Sequence, residues 1–230
     1  MSSLSAYLTD MGRRLIARGP TEGLVLGDWS FQVGSGGFDP LIPTNVIEVD
    51  PSLQALLAPI GSQKPLGFLV DSGAGASVTF LGSDTLQIDG LVAIPNAVTD
   101  KHLTISGAAD PNLNGTWPII GWLSPTSVTI SNPLVTISDP GPLNWQLRRS
   151  CLIKPNPSAA DFHARLVEAE AVGQQLGEVG IFCRLLKAPA SPIFPLPISV
   201  GQQVLFASSH FPPISKDGMM VVNFHVCVQV

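Results

Sequence analysis

Between Gly67 and Arg149 the chain passes through one short β-prone run after another: ASVTFLG, DTLQIDG, KHLTISG, TWPIIGWL, TSVTISN and LVTISD. Each is closed by Gly, Pro, Asn or Asp, and that spacing is what an all-β sandwich or barrel requires. Asn114-Gly115, set between apolar runs, is a hairpin signal. The turn residues are plentiful along the whole chain, with 22 Gly and 21 Pro. Residues 66–150 therefore read as a compact β module inserted into another domain. The segment NWQLRRSCLIKP is either its last strand or its return path.

The flanks read differently. Leu4, Leu8, Met11 and Leu15 share one face of a 3.6-residue period, which predicts a helix over Leu4 to Ala17. Ser2 or Ser3 caps it, Gly19-Pro20 stops it, and Arg13, Arg14 and Arg18 fall toward its dipole-favoured end. A strand follows in GLVLGDWSFQVG, with Leu24, Leu26, Trp29, Phe31 and Val33 in alternation. Its exit, Gly34-Ser35-Gly36-Gly37, runs into Phe38-Asp39-Pro40-Leu41-Ile42-Pro43. Prolines at that density forbid the helix that a dinucleotide site needs, so the glycines serve a turn. A second short helix is expected over Pro51 to Ala58, with Asp50 as N-cap. Asp161 to Glu170 fits a helix by propensity and a strand by alternation. QQVLFASSHF and GMMVVNFHVCVQV are strands, the second preceded by an Asp217-Gly218 turn. The fold class is mainly β (α+β with a short N-terminal helix). A core domain of residues 1–65 and 151–230 is interrupted by a sandwich- or barrel-like insertion.

Composition narrows the function classes. With 45% apolar residues, the 230-residue chain can bury a substantial core. Charged residues are only 13%, against roughly 25% in ordinary soluble domains, which favours a surface covered by neighbours in an assembly. Net charge is −5 with no basic stripe, so nucleic acid is not an expected partner. Cys151, Cys183 and Cys227 are odd in number and widely spaced, which suits small buried hydrophobes in a reducing cytosol rather than disulfides or a metal site. The first residues lack a secretory leader pattern, and no run is long enough to cross a bilayer, so a cytoplasmic place of synthesis and no membrane partner are expected.

Candidate chemistry is sparse. Phe68-Leu69-Val70 leading into Asp71-Ser72-Gly73-Ala74 looks like the active-site loop of retropepsin-type aspartic proteases, where two carboxylates share a proton across a dimer. Ile119-Ile120-Gly121 echoes a downstream element of those enzymes. However, Trp122-Leu123 follows it, and Gly75-Ala76 separates the first loop from Ser77. A turn that opens the β module is the favoured reading, with a dimeric peptidase using Asp71 as the alternative. His102, His163, His210 and His225 lie in or beside strands without a second ligand at metal spacing. Trp117, Trp122 and Trp145 offer a second alternative, a glycan-binding face, against the preferred reading as packing residues. No catalytic, cofactor or metal residue is assigned, and no enzyme activity is expected.

Two separated segments carry a family resemblance. LTDMGRRLIA (Leu8 to Ala17), then a strand and VGSGGFDP (Val33 to Pro40), resembles the start of phage tail-collar fibre and baseplate proteins. GEVGIFCR (Gly177 to Arg184) is similar to that family's Arg-Glu-Ile-Gly-Leu-Phe segment, with Gly177 where Arg is common. The matching positions are Gly12, Gly34, Gly36, Glu178, Gly180 and Phe182, expected to be structural. NGTWPIIGWLSPTSVTISNP resembles small β modules of tail proteins. The resemblance implies a baseplate or collar adaptor in a virion tail, present in multiple copies and assembled in the host cytoplasm. Its partners would be other tail proteins and a tail fibre. Because the chain stops at Val230 without a shaft, a self-contained adaptor is expected. The first helix and the terminal strand are the expected inter-subunit contacts.

Overall fold

The computed structural model describes residues 4–96, 101–149, 152–156, 159–188 and 198–229. With 58% of it in strands and one helix, the protein is mainly β, in a closed six-stranded barrel and a curled sheet. The barrel strands are β4 (Phe68–Gly82), β5 (Thr85–Asp89), β6 (Lys101–Ser106), β7 (Gly115–Ser124), β8 (Ser127–Ser131) and β9 (Asp139–Arg149). They close in the order β4-β5-β8-β7-β6-β9. Strand alternation builds the interior: Leu86 and Ile88, Leu103 and Ile105, Val128 and Ile130, and Leu143, Trp145 and Leu147 all point inward. Trp117 is fully buried with its indole N–H donating to Leu113 O at 2.8 Å.

Asp71-Ser72-Gly73 is not a turn. It lies inside β4, paired with Leu147, Gln146 and Trp145 of β9. The physical reason is at Gly73, where a Cβ would sit 2.8 Å from the Trp145 ring, so the missing side chain admits the indole. The Asn114-Gly115 hairpin does join β6 to β7. Its loop is longer than a two-residue turn and is closed by the Asn114 amide, which bonds both Ala108 N–H and Ala108 O.

The sheet contains β1 (Leu4–Leu8), β2 (Val25–Gly34), β3 (Pro59–Pro65), β10 (Leu152–Asn156), β11 (Ala159–Leu166), β12 (Gln175–Lys187), β13 (Gln203–Ser215) and β14 (Val222–Gln229). Their order is β10-β11-β14-β1-β13-β12-β2-β3. NWQLRRSCLIKP thus holds both the end of the barrel and a strand of the sheet. The ambiguous stretch after Asp161 is a strand, its Phe162, Ala164 and Leu166 buried in alternation. The terminal strand β14 pairs with β11 over Val222–Gln229 and with β1 at Val226, Cys227 and Val228.

The helix α1 spans Asp10–Glu22, not Leu4 to Ala17. Leu4 to Leu8 instead forms β1, wedged parallel to β14 and antiparallel to β13, because sheet hydrogen bonds on both sides outweigh local helical periodicity. Ser2 and Ser3 lie outside the described residues. The cap is Thr9, whose Oγ1 accepts Gly12 N–H at 3.0 Å. The helix continues through Gly19 and Pro20, and Gly23 at φ 69° ends it. With this start, Arg13 and Arg14 sit near the beginning, and the last turn carries no cation. Pro51 to Ala58 is not a helix either. Asp50 caps a single turn through Ser52 N–H at 2.8 Å, and the chain then drops Leu56 onto the sheet.

Candidate interaction surface

Of the six positions matched by the resemblance, Gly34, Glu178, Gly180 and Phe182 lie on β2 and β12, Gly12 lies on α1, and Gly36 lies in the loop after β2. Gly12 lets α1 lie flat on β13, since a Cβ there would fall 2.2 Å from Phe206 O. Gly180 and Phe182 stand on β12, where Leu56, Phe182 and Leu205 form a buried cluster. A Cβ on Gly180 would meet Leu205 at 2.7 Å and Leu56 at 2.9 Å, so the glycine makes room for that contact.

Glu178 is the hub. Fully buried, its carboxyl group accepts Ala58 N–H at 2.7 Å, Leu57 N–H at 3.0 Å and Gly36 N–H at 3.3 Å. A buried carboxyl group is tolerated because these amides replace water. Gly34 and Gly36 are glycines for its sake: a Cβ would lie 2.2 Å and 2.8 Å from Glu178 Oε1. On its other side His210 Nε2 stands 3.7 Å away, while His210 Nδ1 bonds Ile47 O at 2.8 Å. Glu178 thereby pins both ends of the long loop that follows β2, and His210 pins its middle at Ile47.

That loop is ordered by its own hydrogen bonds. Asp39 N–H donates to Asn45 O at 2.9 Å, Asn45 N–H to Ile42 O at 2.7 Å, and Ile47 N–H to Gly37 O at 3.0 Å. Its tip nevertheless carries Leu41, 90% exposed, with Ile42, Val46 and Ile47 also open to solvent. A pinned loop with an apolar tip is preorganised for docking, since little entropy remains to be lost on contact.

A second pinned point joins barrel and sheet. Asp28, in β2 at φ 47°, accepts Thr116 N–H of β7 at 2.7 Å and pairs with Arg184 Nη2 at 3.0 Å. Burial pushes its carboxyl group above the usual range, and Arg184 and the Thr116 amide partly offset this. Gly115 is required here because its Cβ would come within 2.8 Å of Asp28 Oδ1. Neighbouring Cys183 is buried, and burial followed by the Asp28 charge raises its thiol.

The remaining sequence candidates scatter. Asp71 is exposed in the β4–β9 ladder, on a strand rather than on a loop. Trp117 and Trp145 are barrel core, and half-open Trp122 donates its indole N–H to Ile94 O at 3.1 Å. His102 lines a cleft of about 360 Å³ beside Asp28 and Trp29. His163 and His225 do not stand alone: they face each other across β11 and β14 with rings stacked at 4.7 Å. Asp161 and Cys227 oppose each other two residues along, and the hydrogen bond that the Asp161 carboxylate accepts from the thiol is the first cause of a raised Cys227 thiol. The signals for this group were Asp-x-His and His-x-Cys, each putting two donors on one face of a strand. Cys151 lies outside the described residues. No protein-family model matches the chain, and no curated protein matches it.

Proposed function

We propose that this protein is a structural component of a phage or phage-like tail, a baseplate or collar adaptor that holds a tail fibre or neighbouring subunits. The observation that carries the reading is the apolar loop tip held rigid by Glu178 and His210. The resemblance motifs supply the same loop's anchor, since Gly34, Gly36 and Glu178 are the residues that fasten it. A chain sparing in charge suits a surface that partners cover.

Burying Leu41 and Ile42 in a partner contributes about 1.5–3 kcal/mol each. A Leu41→Asp, Ile42→Asp variant therefore loses at least a hundredfold in attachment while its fold, to which the exposed tip contributes little, stays intact. Lysates of producing cells are sedimented and the gradient probed for the protein. The wild type travels with tail-sized particles and the variant stays at the top. Wild type found only as small free protein sinks the adaptor reading; a variant that still co-sediments sinks the role of the loop.

A further inference from the structure

The outer face of β11 and β14 carries a two-by-two grid of donors: Asp161 opposite Cys227, and His163 opposite His225. The pairing is unbroken from Ala159 to Val222, so these four side chains project from one regular, rigid ladder. All four are half-buried, open enough for an ion to enter from solvent. We propose that Asp161, His163, His225 and Cys227 form a binding site for a divalent transition ion of the zinc type.

Three observations support it. The donor set of one carboxylate, two imidazoles and one thiol is the mixture that zinc accepts in four-coordinate sites. Asp161 Oδ2 and His225 Nε2 stand 3.3 Å apart. Two ligands of one tetrahedral ion, each about 2.0–2.1 Å from the metal, are separated by roughly 3.4 Å. Asp161 Oδ1 and His163 Nε2 are both buried atoms without a hydrogen-bond partner, in the grid where an ion would satisfy them. Among the described residues no three such groups already meet at one point, so the ion must draw the side chains together by rotation about χ1. On binding, Cys227 gives its S–H proton to solvent and coordinates as thiolate, and each imidazole coordinates through a nitrogen lone pair. No electron is transferred.

The test uses the tag-free full chain, stripped with a chelator and then given Co²⁺ or Zn²⁺ alone. The expected result is one Co²⁺ per chain with tetrahedral d–d bands and a thiolate charge-transfer band, displaced by Zn²⁺. The melting midpoint rises with zinc. Cys227→Ser abolishes the charge-transfer band, and His225→Ala weakens zinc binding by more than about 100-fold, above the effect of losing a mere outer partner. His163→Gln serves in its place should His225→Ala fail to fold. Wild type that binds no stoichiometric ion overturns the site. So does a charge-transfer band that survives Cys227→Ser, or zinc held equally by the histidine variants, since either means an adventitious ion only.

Discussion

Replacing Glu178 by alanine removes the acceptor of three backbone N–H groups at once, those of Gly36, Leu57 and Ala58. An unsatisfied buried donor costs about 1–3 kcal/mol. These three are partly reached by water, so the lower end applies and the sum is about 3 kcal/mol. That is a large share of a typical stability of about 5–15 kcal/mol, and the cost falls first on the loop rather than on the barrel. The assay is amide hydrogen exchange, read at Leu57 and Ala58, beside urea unfolding followed by tryptophan emission. Exchange at the two loop amides accelerates by roughly a hundredfold, at 1.4 kcal/mol per tenfold. Barrel amides such as those of Leu86 and Ile88 change little. Glu178→Gln keeps one acceptor oxygen but turns an NH₂ toward one of the donors, and it falls between wild type and Glu178→Ala. Loop amides in Glu178→Ala that exchange at the wild-type rate would refute the idea that this carboxyl group holds the loop.

Asp28 has a carboxyl group raised by burial, so the native state binds its proton more tightly than the unfolded chain, whose value is near 3.8. Stability from this group is therefore full below that value and declines as pH rises through the folded value; Asp28→Asn flattens that part of a urea-midpoint profile against pH. Asparagine keeps an acceptor for Thr116 N–H and tolerates the positive φ, so a profile unchanged by the substitution would remove Asp28 as the cause. Asp71→Asn, an exposed change in the β4–β9 ladder, leaves stability within about 0.5 kcal/mol and leaves sedimentation with particles unaltered. A urea midpoint lowered by more than that, or loss of co-sedimentation with particles, would contradict that expectation.

The barrel was legible because its short strands carry their own record of inside and outside. Leu86 and Ile88, or Val128 and Ile130, alternate with polar residues and are buried in alternation. The helix was half legible. Met11 and Leu15 do lie on its packed side, but Leu4 and Leu8 satisfy the same period while serving in β1. Periodicity cannot say whether β13 and β14 will be there to accept the backbone. The stretch from Pro51 shows the same limit: its cap chemistry is realised in one turn, and burial of Leu56 against Phe182 and Leu205 then takes the chain elsewhere.

What sequence reading missed depends on register between distant strands. His163 and His225 are separated by the loop, β12 and β13, and only the β11–β14 ladder puts them face to face. Glu178 illustrates the converse. It and the glycines at 34 and 36 were singled out as separate motif positions, 142 residues apart in the case of Glu178 and Gly36. In the fold they are one object, because each glycine is small where the carboxyl group needs the space and Gly36 also donates its amide to it. A side chain at either glycine and the loss of the carboxyl group should therefore free the same loop. Their effects in a double-mutant cycle should fall short of additive, and an additive result for Gly36→Ala with Glu178→Ala would show that the motif positions act independently.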